Sequence, residues 1–96
     1  MKVIYKYPIT NNSQEIEILG LVKILKAEEQ ENDLVIWCIV DTEDKEKYLL
    51  VTSIFGTGER DEDGDKMIPT NYLNTINTKT GFVWHVFTTV LKKTKN

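Results

Sequence analysis

One segment, residues 81–90, constrains the fold of this chain more than any other. Alternate residues of a β-strand point to opposite faces of the sheet. The two faces of this segment carry Phe82, Trp84 and Val86 on one side, and Val83, His85 and Phe87 on the other. Burying the side chains of one such face stabilises a fold by roughly 5–8 kcal/mol before the loss of chain entropy is counted. Because both faces are apolar, we expect an inner strand that is covered on both sides.

Six further segments have the alternation or the apolar runs of β-strands. They are residues 1–9, 14–19, 21–30, 34–41, 47–55 and 72–78. Residues 21–30 also suit a helix by spacing and composition, but we assign them to a strand that turns at Glu31-Asn32-Asp33 into the next. Residues 34–41 are apolar on both faces, so we predict that they lie beside residues 82–87. Seven short strands without a long helix predict an all-β fold, either a small antiparallel barrel or a two-layer sandwich.

Composition limits the class of protein. The 96 residues fit one domain, residues 1–96, and the 41% hydrophobic and 28% charged content is typical of a soluble globular protein. The sequence has no apolar run long enough for a membrane span and no secretory signal pattern, and Cys38 is the single cysteine. We therefore expect a cytoplasmic protein with Cys38 buried as a small hydrophobic residue. The net charge of −3 argues against a general nucleic-acid binder.

Residues 56–71 contain three glycines, a proline and many acids, which predicts a long surface loop. Its start, Gly56-Thr57-Gly58, suggests a phosphate cradle, since glycines let backbone N–H groups converge on an anion. Arg60, the only arginine, is the usual bidentate partner of an anion. The Gly-Lys-Ser/Thr ending of a Walker motif is absent, however, and a simple strand-terminating turn is the favoured interpretation by roughly three to one.

Acidic residues follow directly in the same loop. They are Glu59, Asp61, Glu62, Asp63 and Asp65. The spacing does not fit a calcium loop, because glycine stands at the fourth position and Tyr72 stands where the twelfth-position glutamate belongs. We interpret these residues as an exposed acidic surface, with Glu59, Asp61, Asp63 and Asp65 as candidates for contact with a protein partner.

The sequence offers no catalytic arrangement. His85 is the sole histidine, so one chain cannot build a histidine metal cluster, and we predict no metal and no cofactor. Cys38 is the one conceivable nucleophile for His85, but its apolar neighbours would raise the thiol pKa, the wrong direction for catalysis. We therefore expect a non-catalytic protein. Candidate stacking surfaces for a nucleobase are Trp37 and Trp84, with Tyr5, Tyr7, Tyr48 and Tyr72, although aromatic residues at strand spacing more often belong to a core.

Several landmarks, taken together in order, resemble a family of small phage and prophage proteins over most of the chain. They are Lys2, Ile4, Lys6, Tyr7 and Ile9 at the start, Ile36-Trp37 with Val40-Asp41, the Gly56-Thr57-Gly58 step, and Val83-Trp84-His85 with Phe87. Members of that family place a His-Pro pair after Gly-Thr-Gly, where this chain has Glu59 and Arg60. The resemblance implies phage origin and an accessory role outside the virion, in an infected or lysogenic host cell. It implies no activity.

Two hypotheses follow for a phage accessory protein. The first is counter-defence by sequestering a small nucleotide-type signal, through Gly56, Thr57, Gly58, Arg60, Trp84 and His85. The second is inhibition of a host defence enzyme through the acidic loop 59–65, which would mimic nucleic-acid charge. Because strands with two apolar faces invite closure by a second copy, we also predict a homo-oligomer, which sedimentation at the monomer mass would contradict.

Overall fold

The computed structural model describes residues 1–60 and 71–92. They form seven strands: β1 (Lys2–Ile9), β2 (Ser13–Leu19), β3 (Leu21–Gln30), β4 (Asp33–Asp41), β5 (Lys47–Gly56), β6 (Asn71–Asn77) and β7 (Val83–Lys92). Across these two ranges there is no helix of the length and hydrophobicity that a membrane span requires.

The strands form two antiparallel sheets. The first sheet has the order β1-β4-β3, and the second has the order β2-β5-β7-β6. The all-β prediction is confirmed, and the architecture is the two-layer sandwich, since the sheets do not close into a barrel. The core lies between the sheets and includes Ile18, Ile36, Cys38, Leu50, Ile54, Ile76 and Val86.

Strand β7 is an inner strand, as expected, and its core face is more deeply buried than its outer face. It lies between β5 and β6, with Val86 fully buried and Trp84 packed against the core. On the opposite face Val83, His85 and Phe87 are half-buried, so the prediction of cover on both sides is wrong. The strand also begins only at Val83, which leaves Phe82 outside it and 65% exposed.

The two strands with apolar residues on both faces do not lie side by side. Strand β4 pairs with β1 and β3, whereas β7 pairs with β5 and β6, so the predicted pairing of residues 34–41 with 82–87 is wrong. Each sheet has one of them as an inner strand. The core face of β4 carries Ile36, Cys38 and Val40, and that of β7 carries Val86 beside the buried Thr88, so each of the two strands supplies apolar side chains to the core from its own sheet.

Two local predictions hold. Residues 21–30 form strand β3, with irregularities in its pairing near Val22 and Leu25. The β3–β4 hairpin turns through Glu31 and Asn32, whose φ angles of 50° and 72° are those of a type I′ turn.

One side of the sandwich is closed by a side chain. Asn74 lies at an irregularity in the β6–β7 pairing, and its amide faces the edge of β3. The N–H of Ala27 donates to Asn74 Oδ1 at 2.9 Å, and Asn74 Nδ2 donates to the carbonyl oxygen of Ala27 at 2.8 Å. The amide thus acts as a short piece of strand that joins the two sheets.

Candidate functional site

The turn that follows β5 is closed by its own acidic side chain. The N–H of Glu59 donates to the carbonyl oxygen of Gly56 at 3.0 Å, and Gly58 has a φ of 87° that favours glycine. The N–H of Gly56 in turn donates to Glu59 Oε2 at 2.9 Å. This donor, which the phosphate-cradle hypothesis assigned to a ligand, is therefore already bonded to a carboxylate of the chain.

A cleft of about 540 Å³ lies between this turn and the start of β7. We call it the stacking cleft; it is lined by Gly56, Thr57, Glu59, Gly81, Phe82, Val83 and Trp84. The ring of Phe82 stacks on that of Trp84, with centroids 6.3 Å apart and planes inclined by 23°. Because Phe82 is 65% exposed, this aromatic pair reaches from the core edge into solvent.

Glycine at position 56 keeps the stacking cleft open. A Cβ atom there would lie 3.7 Å from Trp84 Cζ3, an ordinary van der Waals contact, and Gly56 does not have a positive φ. The position therefore tolerates a side chain sterically. Any such side chain would occupy space beside the indole that the cleft now leaves empty.

His85 lies on the opposite face of β7 from Trp84, because neighbouring strand residues alternate. Its Nε2 is 2.8 Å from Thr57 Oγ1, and its Nδ1 is 3.0 Å from Thr75 Oγ1. Thr75 Oγ1 is also hydrogen-bonded to the hydroxyl of Tyr72. Both ring nitrogens are thus held by hydroxyls that can donate or accept, so either tautomer of the imidazole is satisfied. Its hydrogen bond with Thr57, a residue that lines the stacking cleft, therefore fixes the Thr57 hydroxyl on the opposite side of the sheet from Trp84.

The structure brings together part of the predicted ligand set. Gly56, Thr57 and Trp84 line the stacking cleft, and Gly58 lies at the tip of the adjoining turn. Arg60 is exposed and forms no hydrogen bond or ion pair with any residue in ranges 1–60 and 71–92.

The predicted acidic surface is described only at its first residue. The carboxylate of Glu59 bonds within the turn. Asp61, Asp63 and Asp65 lie outside the described residues.

Sequence reasoning missed Phe82 as a site residue. Its place in an alternating apolar pattern assigned it to a buried strand face. The signal that could have found it is Gly81, which has a φ of 92° and ends the preceding turn, so that the strand starts after Phe82.

Cys38 is inside the core, as predicted, and fully buried. Burial raises the pKa of its thiol to about 11. Since Cys38 belongs to the first sheet and His85 lies on the outward face of the second, the two side chains do not meet. Within the described residues no three His, Cys, Asp or Glu side chains are grouped so that they could hold a metal ion.

Comparison with known proteins places the chain by family. Residues 1–96 match a family described as a domain of unknown function, DUF7352. The chain belongs to this family. No curated protein and no solved structure matches this DUF7352 protein.

Proposed function

We propose that this DUF7352 protein is a non-catalytic binding protein that holds a planar heteroaromatic ring, such as the base of a nucleotide-type signal, in the stacking cleft. The observation that carries the proposal is the exposed Phe82 ring stacked on Trp84 at the mouth of that cleft. In the phage setting that its sequence resemblance implies, such a protein would act by sequestering its ligand.

Exposure of Phe82 supports a stacking role. A large apolar ring that is 65% exposed gains little from folding, so its position is better explained by a partner than by the core. Stacking of a base on an aromatic side chain contributes about 1–3 kcal/mol, and every nucleobase has a π face. Trp84 fixes the Phe82 ring from the core side, so less side-chain freedom is lost when a ligand binds.

Polar groups beside the rings favour a ligand edge that carries N–H donors. Glu59 lines the cleft, and its carboxylate can accept hydrogen bonds beside the one from Gly56. Thr57 lines the same wall, although its hydroxyl bonds His85. A base with exocyclic amino groups fits this wall. A phosphate does not, because the Gly56 N–H is bonded to Glu59 and the carboxylate would repel it. We therefore expect the binding free energy to come mainly from stacking of the ligand's ring and not from a phosphate contact.

Thermal unfolding against a panel of ligands tests the proposal. The panel contains AMP, GMP, cyclic dinucleotides and ADP-ribose, each at rising concentration. A ligand present at about 100 times its Kd stabilises the native state by about 2.7 kcal/mol, which raises the Tm measurably. We expect at least one member with an amino-substituted base to raise the Tm.

The matched variants are Phe82→Ala and Tyr5→Ala, which each remove one exposed aromatic ring. Tyr5 lies on β1 in the other sheet and does not line the stacking cleft. We expect Phe82→Ala to weaken binding about tenfold or more, the loss of one stacking contact, and Tyr5→Ala to leave it unchanged. A panel without any stabilising ligand, or equal losses in the two variants, would refute the proposed function.

A further inference from the structure

The outward face of the first sheet carries the lysines of two separate strands. Lys6 of β1 and Lys26 of β3 both pair with Trp37 of β4, which lies between them. In the next row Lys23 pairs with Ile39 of β4. We call this surface the lysine face; its described members are Lys2, Ile4, Lys6, Lys23, Lys26, Trp37 and Ile39, with Glu28, Asp33 and Asp41 as its acids.

Charge on the lysine face is opposite to that of the whole protein. The chain has a net charge of −3, yet this face has four lysines and three carboxylates. Two of the carboxylates are paired, Glu28 with Lys26 at 3.0 Å and Asp41 with the N-terminal ammonium group at 3.3 Å. Charges elsewhere on the protein act weakly here, because salt screens interactions beyond about 8 Å at physiological ionic strength.

Trp37 gives the lysine face an aromatic centre. Its Nε1 donates to Glu28 Oε2 on the neighbouring strand at 2.8 Å, which holds the indole across the sheet. The ammonium group of Lys6 lies over the ring, 5.7 Å from its centroid, and also bonds Gln30. A cation in that position shows that one face of the half-buried indole can be reached from solvent.

We propose that the lysine face binds single-stranded nucleic acid without sequence preference. Phosphates would contact Lys2, Lys6, Lys23 and Lys26, and a base would take the place of the Lys6 ammonium over Trp37. Lysines that follow a backbone around an aromatic side chain are the recurring arrangement for this ligand. An acidic polypeptide would use the same lysines but would gain nothing from Trp37, so the aromatic centre favours nucleic acid.

The contacts that have to be exchanged for such a ligand to bind are exposed ones: those of Lys6 with Trp37 and Gln30, and the Lys26–Glu28 pair. The Lys26–Glu28 pair is exposed, and exposed ion pairs contribute little to stability, so Lys26 can exchange its carboxylate for a phosphate. The surface does not include the stacking cleft, which belongs to the end of the second sheet. The inference is therefore independent of the proposed function.

Salt-dependent titration with an oligothymidylate of about 15 nucleotides tests the inference, since single strands occupy sites of this order. Each phosphate neutralised on a single strand contributes about −0.7 to the slope of log K against log salt, so four lysines give about −2.8. The variant Lys6→Ala with Lys26→Ala should bind about tenfold weaker or more at low salt, with a slope near −1.4. The control is Lys47→Ala with Lys92→Ala, which removes the same charge from the second sheet. It should bind like the unaltered protein.

Fluorescence of Trp37 separates the two kinds of polyanion. In a Trp84→Phe background Trp37 is the only tryptophan, and oligothymidylate should quench its emission. Failure of oligothymidylate to bind, or equal losses in the two double variants, would overturn the inference. Binding of polyglutamate as tight as that of oligothymidylate, without quenching in either case, would overturn it in favour of an acidic polypeptide.

Discussion

Glycines near the two ends of strand β5 have opposite structural roles. Gly20 lies between β2 and β3, next to the start of β5. Its N–H donates to the carbonyl oxygen of Glu46, and its own carbonyl oxygen accepts from the N–H of Asp41. A Cβ atom on Gly20 would lie 2.2 Å from the carbonyl oxygen of Asp41, and its φ is 67°. Here only glycine fits, because the backbones touch.

At the other end of β5, roughly 30 Å away for ten extended residues, the glycines leave space. Gly58 has a φ of 87°, but a Cβ atom there would meet nothing within 4 Å, and one on Gly56 would only touch Trp84. Gly20, which packing requires, therefore marks the structural end of this sandwich. Glycines that keep a cleft open mark the end we propose for binding.

Replacing Gly20 and Gly58, the positive-φ glycines near the two ends of β5, gives the largest expected difference between the ends. Gly20→Ala should lower the free energy of unfolding by about 3 kcal/mol or more, because backbone strain and overlap with Asp41 add. Gly58→Ala should lower it by about 1 kcal/mol, from backbone strain alone. Urea unfolding of both variants measures the difference. Equal losses would remove the distinction between the ends.

The side-chain amide of Asn74, which joins the two sheets, belongs with Gly20 to the closely packed part of the molecule. Asn74→Ala should lower the free energy of unfolding by about 2 kcal/mol, because it leaves the N–H and C=O of the buried Ala27 without partners. Asn77→Ala removes an exposed amide from the same strand and should change it by less than about 0.5 kcal/mol. If the two variants unfold at the same urea concentration, Asn74 does not join the sheets.

Thr52 is a site where the packed interior is not optimal. It is fully buried in β5, and its Oγ1 has no hydrogen-bond partner among the described residues. Thr52→Val should therefore raise the free energy of unfolding by about 1 kcal/mol, since it replaces an unpaired hydroxyl with a methyl group of similar size. Thr52→Ser is the control, which keeps the hydroxyl, removes a methyl group and should destabilise by about 1 kcal/mol. A destabilised valine variant would show that the hydroxyl has a partner.

Changes at the open end should have the smallest effect on stability. Gly56→Ala and Phe82→Ala should each alter the free energy of unfolding by less than about 0.5 kcal/mol, because the first meets only an ordinary contact and the second removes an exposed ring. Both should nevertheless weaken a ligand of the stacking cleft about tenfold. Loss of stability larger than that of Gly58→Ala would mean that this end is structural.

Much of the fold followed from the sequence because strand signals are local. The alternation in residues 14–19 and the turn at Glu31 and Asn32 act over a few residues, and both were predicted. Pairing is not local: nothing in the composition of β4 or β7 tells whether they share a sheet or occupy different ones. The structure separates them, because similar apolar composition does not specify which strands pair.

The candidate site was predicted in part for the same reason. Gly56, Thr57 and Trp84 stood out as residue types and do line the cleft. The start of β7 one residue after Phe82 depends on the turn at Gly81, so the alternating pattern alone does not reveal that the Phe82 ring is exposed. The lysine face could not be predicted from the sequence, because Lys6 and Lys26 are far apart in the chain and come together only across β4.

Chemical-shift mapping with the ligand that gives the largest thermal shift tests the central claim most directly. Two-dimensional nuclear magnetic resonance reports the backbone amides and the two indole N–H groups separately. We predict saturable shifts at Gly56, Thr57, Phe82 and the indole of Trp84, with the indole of Trp37 unmoved. Shifts that avoid the Phe82–Trp84 pair, or that appear first at Trp37, would contradict the account.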